Sequence, residues 1–469
     1  MRNSKVVSLE EAIRRSGLKD GMTISFHHHF RGGDKVLNLV VDKLAQMGFR
    51  DLKLAASSLS DVHAPLVEHI RNGVITGIST SGLRGTLADA ISHGLLKEPV
   101  VFRSHGGRGS AIASGELHID VAFLGACSAD ELGNATGKGS KSICGSLGYA
   151  LPDARYADYV VVLTDDLVAY PNFPKSISAC EVDSVVVVDS VGDSTKISSG
   201  AIRDSKNPRD ILLAKQAAKV IINSGYFTDG FSIQTGTGGA SLAAVKYIRE
   251  SMLEKGIKAS FALGGITAHM VKLHEEGLIE KLIDVQSFDK VAAESIGRDA
   301  LHQEVSAIEY ASANYMGSAV HALDIVILSA LEVDVNFNVN VLVGSDGIIR
   351  GAVGGHPDTA EDSALSIIVC PLLRGRIPCI VPKVTTLITP GKSVDVVVTE
   401  YGIAVNPGRP LVVQRLQDAG IQLTDINVLA AKARSIIGEP DPLPFGDQVV
   451  GIVMDRNGGI LDKIYNIVD

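Results

Sequence analysis

Short runs of branched apolar residues alternate along this chain with longer stretches whose apolar positions follow helical spacing. Residues 8–16, SLEEAIRRS, put Ser8 where its hydroxyl caps a first turn, with Glu11 three residues on and Gly17 closing the segment, which predicts a short helix. Residues 22–26 predict a strand, HHHFRGGD its loop, and residues 35–47 a helix with apolar positions at 36, 37, 40, 41 and 44 that stops at Gly48. LKLAAS, GVITGIST and EPVVF predict further strands, with SDVHAPLVEHIRNG and TLADAISHG as helical segments between them. Such alternation predicts an α/β fold with mainly parallel sheets. Residues 323–328, LDIVIL, predict a strand buried on both faces. Glu332 follows it closely, and function in parallel sheets sits just past strand ends.

The pattern also repeats. Residues 119–134 align without a gap on 323–338, keeping Asp120 with Asp324, Asp130 with Asp334 and Asn134 with Asn338. Residues 157–171 resemble 393–407 with one residue slipped, and ISFHHHFRGGD at 24–34 echoes FSIQTGTGGAS at 231–241. Three echoes in one order predict a duplicated α/β domain. The polar stretch 198–210, followed by Pro208 at a helix start and the periodic ILLAKQAAKVII, puts the boundary near 225, giving domains 1–225 and 226–469. Residues 415–438 predict one or two helices, and 449–468 a terminal hairpin turning at Asn457-Gly458. Within the repeat, Glu332 stands where the first half has Ser128, and Gly354-Gly355 has no clear counterpart. One site between two diverged halves is therefore expected.

Composition narrows the class. With 469 residues, 45% hydrophobic and 21% charged, the chain is too long for one ordinary domain. A net charge of −9 without a Lys/Arg cluster argues against nucleic acid. The N-terminus mixes charge into its apolar positions, and apolar runs such as 159–163 and 185–188 end at aspartates, far short of the roughly 20 residues a membrane helix needs. No export and no membrane span are expected. Five cysteines without CxxC spacing indicate neither a disulfide framework nor zinc, and fit a reducing cytoplasm.

Several constellations carry candidate chemistry. Glu332 at a desolvated strand end is a candidate acyl nucleophile or general base; the bland alternative is a carboxylate paired with a nearby cation. Gly354 and Gly355 offer N–H groups to a developing oxyanion, or form only a turn. HHHFRGGD, with Arg31, Gly32 and Gly33, and TGTGGAS, with Gly236, Gly238 and Gly239, have the character of anion-binding turns before helices. Neither ends in the GK[ST] of a phosphate-binding loop. In an extended segment only His27 and His29 of the His27, His28, His29 run would share a face, so polar lining of an anion pocket is favoured over metal. His105-Gly106-Gly107-Arg108 is a further polar glycine turn, as readily an ordinary loop.

SALEVDVNFNVN, then RGAVGGHPDTAEDS, then VVVTEYGIAVNPGRP resemble the C-terminal domain of CoA-transferases of the acetyl-CoA hydrolase/transferase group. Across nearly the whole length, through SFHHHFRGGD, SSLSDVHAPLVEHIR, TSGLRG, SGELHIDVAFLG, NSGYFTDGFSIQTGTGGASLA, FALGGITAHMV and ITPGKSVDVVVTEYGIAVNP, the chain is similar to citrate lyase α subunits. The resemblance implies two tandem CoA-transferase-type (NagB/RpiA-like) domains with the active site at their interface. It implies transfer of a CoA-like thiol from an acetyl thioester to citrate, giving citryl thioester and acetate. It also implies a β subunit that cleaves the citryl thioester, a γ acyl carrier subunit bearing a dephospho-CoA-type prosthetic group, and acetyl-CoA as a substitute donor. A cytoplasmic homo-oligomer without a required metal is expected. Glu332 matches a glutamate that forms acyl and thioester adducts in related CoA-transferases, whereas the citrate lyase group is thought to proceed without that step; both roles stay open. Thr359 follows the G-G-x-x-D motif where an aromatic residue is frequent in the family. Gly354 and Gly355 are implied as oxyanion donors, and Glu400 with Gly402 as lining of the same cleft. The alternatives are an acyl-CoA thioester hydrolase or a transferase for a related acid such as citramalate.

Overall fold

The computed structural model describes residues 4–198, 207–236 and 238–468. Most of the polar stretch in which the sequence sets its domain boundary, residues 199–206, and Thr237 lie outside the described residues. Two large sheets organise the chain. The first has ten strands in the order Val6–Val7, Ser184–Val187, Tyr159–Thr164, Val121–Ala126, Thr23–Phe26, Leu52–Ala56, Ile75–Thr80, Val100–Phe102, Phe445–Met454 and Ile460–Ile467. All neighbours are parallel except the last pair. The second runs His302–Glu304, Ile279–Ser287, Ala259–Ile266, Phe231–Thr235, Ile325–Ser329, Leu365–Val369, Val396–Thr399 and Gly402–Val405, again parallel except for the last pair.

The predicted elements form for the expected reasons. Ser8 caps the helix Leu9–Arg15 by accepting the Glu11 N–H at 3.2 Å, and Gly17 takes a left-handed φ of 67° just past its end. The helix Val36–Gln46 buries positions 36, 37, 40, 41 and 44. All six residues of the strand Val121–Ala126 are buried, as expected of a strand covered on both faces.

The internal repeat reappears in three dimensions. After the central strands Val121–Ala126 and Ile325–Ser329, each half adds a short strand, Ser128–Asp130 or Glu332–Asp334, that turns back through an Asp-Asn pair. Asp130 accepts the N–H groups of Leu132, Gly133 and Asn134, and Asp334 those of Asn336 and Asn338. This is why both positions carry aspartate. The echo between 157–171 and 393–407 is corrected. Tyr159–Thr164 pairs with Val121–Ala126, and in the second sheet that place beside Ile325–Ser329 belongs to Leu365–Val369. Val396–Thr399 instead matches Ser184–Val187, since Asp395 accepts the Ser366 N–H as Asp183 accepts the Val160 N–H. Valine-rich buried strands look alike in sequence whatever their place in a sheet.

The C-terminal hairpin also departs from expectation. It joins the first sheet, with Gly451, Ile452 and Val453 beside Val100, Val101 and Phe102, although the sequence reading assigns residues 226–469 to the second domain. Without it, the strand carrying the fully buried Phe102 would be an open sheet edge. Its turn spans residues 455–459, with Gly458 and Gly459 at φ 97° and 85°, longer than the expected two-residue Asn457-Gly458 turn.

Candidate active site

Because the strands are parallel, the loops at their C-terminal ends gather on one side of each sheet, and those two sides face each other across a cleft of about 690 Å³. From the first sheet, the loop after Thr23–Phe26 supplies His28, Arg31 and Gly32, the loop after Ile75–Thr80 supplies Ser81 and Arg84, and the segment after Val100–Phe102 supplies His105. From the second, the ends of Phe231–Thr235 and Ile279–Ser287 supply Gln234, Gly236, Gln286 and Phe288, and Gly354 and Gly355 close the floor. Tyr149 and Tyr310 complete the wall. An adjoining lobe of about 300 Å³ shares Arg84, Gly236, Gly354 and Gly355 and adds Gly238 and Arg374.

Contacts between the halves fix this geometry. The Arg31 guanidinium lies 4.7 Å from the Phe288 ring centroid, a cation over an aromatic face from the opposite half. Arg31 sits at φ 52°, uncommon for a residue with a side chain. Burial and the neighbouring Arg84 lower its pKa to about 10, which leaves it charged at neutral pH. Gln286 donates to the His28 carbonyl at 2.9 Å. The His28, His105 and Tyr149 rings form one cluster, with centroids 4.3 to 5.7 Å apart.

His28 enters this cluster as a neutral imidazole. The Ser57 hydroxyl accepts the His28 backbone N–H at 2.9 Å and lies 2.6 Å from Nδ1. The Ser57 hydroxyl thus holds both the backbone and the ring of His28 in place. Burial, then His105 and Arg31, hold the His28 pKa well below its usual value. His105 is pushed to about 3 by burial and Arg108, and His356 to about 4 by burial. His356 lies in the wall with Nδ1 2.7 Å from Thr389 Oγ1 and Nε2 3.1 Å from the Ser329 carbonyl.

The sequence-predicted residues divide. Arg31, His28, Gly32, Gly236, Gly354 and Gly355 line the main cleft, and Gly238 lines its side lobe. The N–H groups of Gly354 and Gly355 donate to no protein acceptor among the described residues. A Cβ on Gly355 would lie 2.5 Å from the Tyr310 hydroxyl, so this wall needs glycine. Gly33 and Gly239 are not among the residues lining the cleft or its side lobe, and a Cβ on Gly33 would meet the Asp193 carbonyl at 2.2 Å. His27 and His29, not His28, are the pair turned inward, stacked at 3.9 Å and buried.

Glu332 does not line the cleft. Its Oε2 accepts Asn340 Nδ2 and the Thr385 N–H, both at 2.8 Å, and its Oε1 accepts Thr385 Oγ1 at 3.0 Å. The carboxylate is consumed in joining its own small sheet to the 382–387 loop. Glu400 likewise accepts the Leu372 N–H at 2.7 Å, and Gly402 pairs with Thr399 inside a hairpin; neither faces the cleft. Gln286, Phe288, Tyr149, Tyr310, Gln234 and His356 were not singled out from sequence. Gln286 and Gln234 end parallel strands, a position that strand-end reasoning alone marks as a candidate. Tyr149 and Tyr310 carry no such signal.

One buried acid ties the halves beneath the site. Asp358, of the G-G-x-x-D motif, accepts the Ser104 hydroxyl at 2.6 Å and the Gly106 N–H at 2.9 Å. The adjacent His105 N–H donates to the Gly354 carbonyl at 2.9 Å. The first turn of the helix His105–Ser114 is thus capped by the opposite half. Among the described residues, one cluster offers metal-type ligands, His118, Asp120 and Asp158. Asp120 and Asp158 precede their strands, so the cluster is on the side away from the cleft.

A family model for citrate lyase, alpha subunit, matches residues 3–467. The citrate lyase alpha chain of Escherichia coli K12 is 60% identical over 98% of this chain and 90% of its own length. That of Klebsiella pneumoniae is 58% identical over 98% and 91%. A crystal structure of a citrate lyase alpha subunit from Streptococcus mutans, in complex with citrate, superposes with a TM-score of 0.98 at 54% identity, covering 100% of this chain and 92% of that one. A malonate decarboxylase alpha subunit from Acinetobacter baumannii shares the fold, with a TM-score of 0.69 at 17% identity over 93% of each chain. This chain belongs to the citrate lyase alpha-subunit family.

Proposed function

We propose that this chain is the transferase subunit of citrate lyase, a CoA-transferase that moves a CoA-like thiol from an acetyl thioester to citrate. The carrying observation is the composition of the cleft: two arginines and a neutral histidine from one half oppose the unengaged N–H groups of Gly354 and Gly355 from the other. Citrate is a trianion at neutral pH, and guanidinium groups match its carboxylates in geometry and charge. Arg31 and Arg84 hold two carboxylates, leaving the third to attack the acetyl thioester carbonyl. That bond forms a mixed anhydride as the C–S bond breaks and the thiolate leaves. The thiolate then adds to the citryl carbonyl, the anhydride C–O bond breaks, and acetate departs with the electron pair. Gly354 and Gly355 N–H groups stabilise the oxyanion in both steps.

In this reading the donor is acetyl-CoA or the dephospho-CoA-type arm of a γ acyl carrier subunit, and a β subunit cleaves the citryl thioester. The chain itself is a homo-oligomer in a cytoplasmic complex, built of two NagB/RpiA-like domains; the two parallel sheets support two domains, with the helix Pro208–Asn223 packed in the second and the C-terminal hairpin returning to the first. Glu332 is a brace for the second half and forms no bond to the acyl group. Arg31→Ala and Arg84→Ala test the arginine assignment. Each is expected to raise the KM for citrate by about 10- to 100-fold, the loss of a charged hydrogen bond, with little change in the KM for acetyl-CoA. A rise confined to acetyl-CoA sinks the assignment.

A further inference from the structure

Behind the cleft, a second groove of about 670 Å³ runs between the helices Gly239–Lys255 and Ala268–Glu275. Leu242 and Val245 form a buried apolar floor, while Lys246 and Lys272 stand exposed on its walls. Neither lysine is held in an ion pair among the described residues, Lys246 standing 5.9 Å from the Tyr247 ring centroid; Arg249 on the same lining is tied to Glu276 at 2.5 Å, which leaves Glu250 as the acid against the two lysines. On a chain of net charge −9, an apolar trough flanked by unpaired lysines is an exception that suits an acidic amphipathic helix. Its position adds a second argument. Gly265 lines the cleft and Ala268 lines the groove, a separation of three residues, or at most roughly 11 Å of chain. Gly238, in the cleft's side lobe, likewise opens the helix that carries Lys246.

We propose that this groove docks the thioester-bearing carrier through an acidic helical face, so that its prosthetic arm enters the cleft past Gly238 and the 265–267 loop. The proposal rests on the transferase reading above. It makes carrier-borne and free donors differ: a carrier uses both groove and cleft, and acetyl-CoA does not need the lysines. The test compares wild type with Lys246→Glu/Lys272→Glu, using citrate and either the acetylated γ acyl carrier or acetyl-CoA. The expected result is a rise of at least about tenfold in the KM for the acetylated carrier, in keeping with loss of two charge contacts, with acetyl-CoA kinetics unchanged. Added salt should weaken carrier turnover by wild type and should not weaken that of the charge-reversed variant, whose repulsion of an acidic face it screens. Zero-length carbodiimide coupling of carrier to wild type should yield cross-links at Lys246 or Lys272, independent of any variant's folding. Equal loss with both donors, unchanged carrier KM, or cross-links only elsewhere overturns the docking site. Wild type that transfers from neither donor to citrate overturns the transferase reading and the docking site with it.

Discussion

Glu332 and Ser128 occupy the same position in two copies of one turn, yet only the glutamate has three donors gathered around it. A carboxylate so occupied would have to break those bonds to become a nucleophile. Glu332→Gln is therefore expected to keep the turnover number for acetyl transfer within about threefold of wild type. It should lower stability by roughly 1 to 3 kcal/mol, since the amide NH₂ turns a donor toward Asn340 or Thr385. Paired transfer assays and thermal melts check this; lost turnover with an unchanged melting temperature would contradict it. The sequence singled out Glu332 because it stands at a strand end, and strand ends are where this fold does chemistry. It could not tell which way the side chain points. Arg31 and His28 were legible because a loop of consecutive polar residues after a strand has few structural reasons to exist. Tyr149 and Tyr310 were not, because a wall built by tertiary contact leaves no local spacing to read.

Among the elements, the helix His105–Ser114 depends most on its neighbour. Three donors in its first segment go to the other half: Ser104 and Gly106 to Asp358, and His105 to Gly354. Its glycines permit that approach, since a Cβ on Gly106 would lie 1.8 Å from the Ala311 carbonyl. Gly106→Ala is expected to force the helix off the second half, at a cost of about 1 to 3 kcal/mol or more. Circular dichroism should remain helical and stranded while melting falls and transfer activity collapses; a variant with the melting curve and activity of wild type would refute the close approach. At this scale much was readable. Strand and helix periodicities marked the βα units, because buried parallel strands are continuous apolar runs and their helices carry one apolar stripe. The sheet order was less so: 396–399 and 159–164 share composition but not position. The return of 445–467 to the first sheet was invisible, since a hairpin's own sequence does not name the edge it covers.

Across the molecule, Asp358 holds the two halves and the C-terminal hairpin at one point, with Arg456 Nε 3.6 Å from its Oδ1 and Arg456 also paired to Asp362. Burial outweighs Arg456, Ser104 and Gly106 and raises the Asp358 pKa from 3.8 to about 6. A folded pKa above the unfolded one means the group's contribution is full at low pH and is lost as pH rises from about 4 to about 6. Relative to wild type, Asp358→Asn should therefore gain up to roughly 3 kcal/mol between pH 4 and pH 7, whatever its constant offset. Urea unfolding across that range measures it; a pH-independent difference would show that Asp358 does not titrate there. The clamp serves a cleft whose two walls come from different sheets, and the transferase reading stands on those walls acting together. The direct measurement is mass spectrometry of the products formed by the purified protein from acetyl-CoA, with and without citrate. Citryl-CoA and acetate in equal amounts, formed only with citrate, is the result expected of a transferase. Acetate and free CoA released at the same rate without citrate would make the cleft a hydrolase and contradict it.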